Sequence, residues 1–194
     1  MLPSCEQAKK ILKDSEPLNP GPWENHCRLV ALCAEKIAAA VGLDENKAYV
    51  CGLLHDIGRR FGVRYLGHVT DGYFYMMSLG FDEVAKICLT HSFPCNSIDE
   101  YIGNFDITAE ELNLLQEKLK SVEFDDYDRL IQLCDSLAGG ESIMTIEERM
   151  NDVKNRYGFY PKAKWNKNLE IKDYFEEKLG KDIYSVIKKI KLFA

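Results

Sequence analysis

Apolar residues recur at three- and four-residue intervals along nearly the whole chain, with no sustained two-residue alternation such as a half-buried strand carries. That spacing predicts an all-α fold. Glu24 to Val41 places His26, Leu29, Val30, Cys33, Ile37 and Val41 on one helical stripe, with Gly42 as the stop. Asp44 is suited to cap a helix running to His55, with Ala48, Cys51 and His55 on one face and Gly58 ending it. Gly67 to Leu79 and Asp82 to His91 predict two more helices, the second presenting Val84, Ile87, Cys88 and His91 inward. Thr108 with Glu111, and Thr145 with Glu148, have the spacing of capping boxes. Asp125 and Asp126 suit the start of a helix through Leu130, Ile131, Cys134, Asp135 and Ala138, which Gly139 and Gly140 would stop. Phe93 to Phe105 reads as a polar connection, and Tyr157 to Asn168 as an irregular aromatic stretch before one or two terminal helices. The tail from Lys188 (KKIKLFA) is expected to dock on the body as a helix.

The chain has 194 residues, enough to bury about 70% of its unfolded surface in one core, so one domain is expected. Lys and Arg number 25 against 31 Asp and Glu, a net charge of -6, which argues against broad electrostatic capture of nucleic acid. No apolar run is long enough to span a bilayer, and Met1 to Lys10 lacks the apolar stretch of a signal peptide. A cytoplasmic protein without a membrane partner is therefore expected. Seven cysteines form no CxxC pair, and most fall among apolar residues, which suits small core side chains in a reducing compartment.

The histidines are only four, His26, His55, His68 and His91, and each lies on or beside an inward-facing stripe. One histidine on an apolar face is ordinarily a hydrogen-bonded core residue. Here His55 is followed directly by Asp56, two Lewis bases about 100° apart if both are helical. Asp135 stands in an otherwise apolar helix face, where an unpaired carboxylate is costly and a cation would offset the penalty. Imidazole with carboxylate suits Mn, Fe, Ni, Co or Zn. Arg59, Arg60 and Arg64 are candidate clamps for phosphate oxygens, or else a solvated cluster at a helix end. Tyr65, Phe93 or Tyr101 could stack on a base or sugar, or simply pack. Asp71 and the Arg149, Asp152, Arg156 group read as surface or supporting residues.

His26, then His55-Asp56 within LLHDIG, then Asp135 within YDRLIQLCD, resembles the motif of the HD superfamily of metal-dependent phosphohydrolases. His68 in GHVTDG and His91 in LTHSF sit where two-metal members of that superfamily carry extra ligands. The resemblance covers about residues 20 to 140 and implies an HD-domain helical bundle with a C-terminal helical extension over residues 141–194. It implies that His26, His55, Asp56 and Asp135 hold one divalent ion and that His68 and His91 hold a second, with Asp56 bridging. Two such ions would activate a bridging water and polarise a phosphoryl oxygen, so that a phosphate ester or anhydride is hydrolysed with Asp56 and Arg59 at the reacting centre. The layout is similar to that of bacterial symmetrical diadenosine tetraphosphate hydrolases, although SLAGGES after the last aspartate departs from their sequence and leaves the adenine contacts open. The implied ligand is a small phosphate compound, nucleotide in class, and a homodimer is left open. Two other readings stand beside this one: a catalytically silent, nucleotide-sensing metal-binding module, and a helical interaction protein with structural histidines.

Overall fold

In a computed structural model, which describes residues 1–188 and Ile190, the chain forms ten α-helices and three short 3-10 turns. Among the described residues no β-strand forms; a single bridge joins Ala138 to Ile143. The helices are α1 (Cys5–Ser15), α2 (Trp23–Val41), α3 (Glu45–Leu54), α4 (Gly67–Ser78), α5 (Asp82–Thr90), α6 (Ala109–Ser121), α7 (Asp126–Asp135), α8 (Ile146–Tyr157), α9 (Lys162–Leu179) and α10 (Tyr184–Ile187). The expected signals start several of them. The Asp44 carboxylate accepts the amides of Asn46 and Lys47, and reciprocal capping boxes open α6 at Thr108 and Glu111 and α8 at Thr145 and Glu148. Gly42 ends α2 at φ 76°, a conformation that a Cβ would disfavour.

The long helix α2 is the spine. It packs against α3, α7, α9 and α10, so Leu29, Val30, Cys33 and Ile37 share a core with Leu130, Ile131, Phe175 and Ile187. Gly52 lets α3 lie close on α2, since a Cβ there would sit 2.8 Å from the Cα of Ala31. A second core joins α1, α3 and α5 through Leu12, Leu53, Leu54 and Val84, and a third seats α6 against α4 through Leu66, Val69, Leu115 and Leu119. Cys27, Cys33, Cys51, Cys88 and Cys134 are buried free thiols.

Three sequence expectations need correction. The helix carrying His55 ends at Leu54, and Asp56 sits off it at φ -105° and ψ 16°, followed by a 3-10 turn at Ile57–Phe61. The two side chains therefore owe their directions to a helix end, not to a helical 100° step. Helix α7 stops at Asp135, short of Ala138, because the chain then reverses in a loop that captures its own amides. In that loop Gly139 N–H donates to the Ser142 carbonyl and Met144 N–H to that of Leu137. The stretch from Tyr157 to Asn168 is irregular only between Gly158 and Pro161, since Gly158 stops α8 and Pro161 precedes α9. Its aromatics form the joint, with Tyr160 and Trp165 edge to face at 5.6 Å. Most of the KKIKLFA tail lies outside the described residues; Ile190 packs on the core around α2. No helix among the described residues is long and apolar enough to cross a membrane.

Candidate metal centre

Six side chains from five separate places in the chain meet at helix ends. His26 stands in the first turn of α2, His55 and His91 immediately follow α3 and α5, His68 lies in the first turn of α4, and Asp135 is the last residue of α7. The carbonyls near a helix C-terminus lack intrahelical donors, and imidazole N–H groups can supply them. His55 Nδ1 donates to the Gly52 carbonyl at 2.8 Å and His91 Nδ1 to that of Cys88 at 2.8 Å. His68 Nδ1 pairs in the same way with the Tyr65 carbonyl, and His26 Nδ1 reaches the carbonyl of Gly139 at 3.3 Å. With Nδ1 turned to the main chain, all four Nε2 atoms face inward, that of His26 hydrogen-bonded to Asp135 Oδ1 at 2.9 Å.

Those inward atoms fall into two adjoining groups, His26 with His55 and Asp135, and Asp56 with His68 and His91, the ligand atoms within each lying no more than 4.8 Å apart. Asp56 stands between the groups. Its Oδ1 is 3.1 Å from His68 Nε2 and 3.4 Å from His91 Nε2, while its Oδ2 is 4.0 Å from His55 Nε2. Asp135 Oδ1 lies 2.9 Å from His26 Nε2 and 4.0 Å from His55 Nε2. His55, Asp56, His68 and His91 are buried, whereas His26 and Asp135 keep an edge open to a cleft.

A guanidinium, that of Arg59, meets the arrangement at Asp56 Oδ2. Burial pushes the His55 imidazole down to about 4, against the opposing pull of Asp56, and burial with the Arg59 charge lowers His68. Both rings are neutral near pH 7. Burial works against ionisation of Asp56 and Asp135, but Arg59, His68 and His55 overcome it at Asp56, and His26, His55 and His91 at Asp135, so both carboxyls titrate well below their usual range. Acceptor therefore faces acceptor: His68 and His91 Nε2 are 3.3 Å apart, and His55 Nε2 and Asp56 Oδ1 are buried with no hydrogen-bond partner. Orphaned buried acceptors are costly, and a cation satisfies several of them together. Neutral imidazoles with carboxylates fit one or two divalent transition ions, one to each group.

A cleft of about 760 Å³ opens from these donors. Arg59 lines it and grips Asp56 Oδ2 at 2.5 Å. Arg60 and Arg64, expected beside it as phosphate clamps, are placed elsewhere. The Arg60 guanidinium lies over the Tyr75 ring at 4.1 Å, and Arg64 binds Asp71 and the Asp106 carbonyl. Tyr65 and Tyr101 line the cleft, whereas Phe93 is packed in the core beneath α4. The facing wall comes from α8 and α9: Arg149, Asp152, Arg156, Tyr160, Lys164 and Asn168. Sequence reasoning missed Tyr160, Lys164 and Asn168 altogether. A signal was available, since Lys164, Asn168, Ile171 and Phe175 follow helical spacing on one face of α9.

A family model described as HD domain matches residues 23–140. No curated protein and no solved structure matches the chain. The matched span begins with α2, ends in the loop after α7 and includes all six donors, while the α8 and α9 wall lies beyond it.

Proposed function

The chain belongs to the HD superfamily of metal-dependent phosphohydrolases, and on that footing we propose that it hydrolyses a nucleotide or similar small phosphate ester or anhydride at the donor groups around Asp56. One observation carries the reading: four inward Nε2 atoms and two ionised carboxylates converge, with His55 Nε2 and Asp56 Oδ1 buried and without a hydrogen-bond partner.

His26, His55 and Asp135 would hold one ion and Asp56, His68 and His91 another, with Asp56 presenting one oxygen to each side. When bound, divalent ions of this kind supply a water activated at neutral pH and a Lewis acid toward a phosphoryl oxygen. The side chains do the rest. Main-chain carbonyls orient the His55 and His91 rings, which limits the reorganisation needed on binding. Arg59 keeps Asp56 ionised and oriented. The nearby thiols of Cys27 and Cys88 are pushed far up by burial and by the Asp56 charge, so they remain protonated and offer no nucleophile. Hydrolysis by positioned water is thus the chemistry these groups support.

The test is elemental analysis of protein purified without a metal-affinity tag, followed by a phosphate-release screen with added Mn or Fe. Nucleotides, dinucleoside polyphosphates and sugar phosphates form the panel. Bound transition metal with release from at least one class is expected; metal-free protein inert across the panel overturns the reading. Nucleotides that raise the melting temperature without any phosphate release would instead identify a sensing module.

A further inference from the structure

Four cationic side chains line the cleft: Arg59, Arg149, Arg156 and Lys164. Three are held in ion pairs. Arg59 is paired with Asp56 at 2.5 Å, and Arg149 and Arg156 share Asp152 at 3.1 and 2.9 Å. Among the described residues no carboxylate lies within 4.0 Å of Lys164 Nζ, which donates instead to the Ser92 carbonyl at 2.7 Å. Ser92 directly follows His91, so the ammonium is bonded to the residue next to one of the donors, in the same cleft. An ammonium has three N–H donors, and one is used. The Glu100 and Asp135 carboxylates act on this half-buried charge only from beyond 4.0 Å, so its two remaining donors are open to an anionic ligand in the cleft.

We propose that Lys164 is a substrate-binding residue, its ammonium taking a non-bridging phosphate oxygen of a small phosphate ester or anhydride whose phosphorus is presented to the donor groups around Asp56. The proposal rests on the phosphohydrolase reading and adds to it the residue that recognises the anion. Lys164 fills the role that Arg60 and Arg64 leave vacant, being engaged by Tyr75 and by Asp71. It is carried by α9, outside the matched span of residues 23–140, so anion recognition and metal binding come from different stretches of the chain.

Inorganic phosphate is the probe, titrated calorimetrically into the full chain with and without Mn(II). Lys164→Gln can still donate to Ser92 but carries no charge. It should keep the melting temperature and Mn uptake of the parent while raising the Kd for phosphate about 10- to 100-fold, the range of a lost charge-assisted hydrogen bond. Lys164→Arg should stay within about threefold of the parent, since it restores the charge. Unchanged phosphate affinity in Lys164→Gln overturns the proposal, and a fall in melting temperature with unchanged affinity does so equally, assigning the residue to anchoring α9. Should that variant fail to fold, acetylation of the unsubstituted protein decides. Saturating phosphate should shield Lys164 from acetic anhydride, and equal labelling with and without phosphate overturns the proposal. A parent chain that takes up no Mn defeats the phosphohydrolase reading alone, because the phosphate comparison on metal-free protein still scores Lys164.

Discussion

The proposed chemistry leans most on Asp56, because its two oxygens face different groups and its ionisation is supported by Arg59 three residues away. Asp56→Asn should abolish metal-stimulated phosphate release and lower bound metal per chain, read by elemental analysis alongside an unchanged far-UV spectrum. Arg59→Ala removes the guanidinium that fixes Asp56 and should weaken metal affinity or turnover by about 10- to 100-fold, as loss of an outer partner to a ligand commonly does. At this scale the sequence was informative about donors and uninformative about clamps. Donors lie in an ordered run of His, His-Asp, His, His and Asp that the structure gathers within a few ångströms. Clamps depend on where long side chains finish, and three adjacent arginines diverge: Arg59 to Asp56, Arg60 to the Tyr75 ring, Arg64 to Asp71. Nothing local in RRFGVR distinguishes those ends.

Between elements, two close approaches set the site. Gly58 in the 3-10 turn lies against α4 so tightly that a Cβ would overlap the His68 carbonyl and come within 2.5 Å of the Gly72 amide nitrogen. Gly58→Ala must displace α4 and His68 with it. It should destabilise the protein by about 1–3 kcal/mol, the usual cost of overpacking, and reduce metal content, measured by urea unfolding and elemental analysis on the same sample. Asp106 secures the other side of that helix: its carboxylate accepts the amides of Tyr65 and Gly67 at 2.8 Å each. Burial opposes its ionisation, but the Gly67 and Tyr65 amides outweigh this and hold the carboxyl below its ordinary value. A depressed folded pKa contributes stability that is present above about pH 4 and is lost as the pH falls through the folded value. The urea midpoint of Asp106→Asn should therefore lie below that of the parent at pH 7, and the difference should shrink in strong acid. Helix starts were legible wherever a capping side chain marks them, as at Asp44, Thr108 and Thr145. The start of α9 was not, because Pro161 makes no side-chain cap and the first turn mixes aromatic and basic residues.

Taken as a whole, the molecule places the matched segment and the C-terminal helices around one shared core, where Phe175 and Ile171 of α9 and Ile187 of α10 pack with residues of α2 and α7. Phe175→Ala should cost about 3–5 kcal/mol, and the loss should be felt at His26 on α2 and Asp135 on α7 as well as on α9. Denaturation followed by circular dichroism and by tryptophan emission, with Trp23 on α2 and Trp165 on α9, should give coincident curves. The all-α class was readable from apolar spacing; the use of α8 and α9 as a cleft wall was not, because Lys164 and Asn168 are polar and the face they share with Ile171 and Phe175 shows packing without showing what its polar end adjoins. The carbonyls that hold the imidazole rings belong to the final turns of α3 and α5. Fraying there would swing those rings off target, so in a warmed, metal-loaded sample the ion should escape in step with the melting of the helices and never ahead of it.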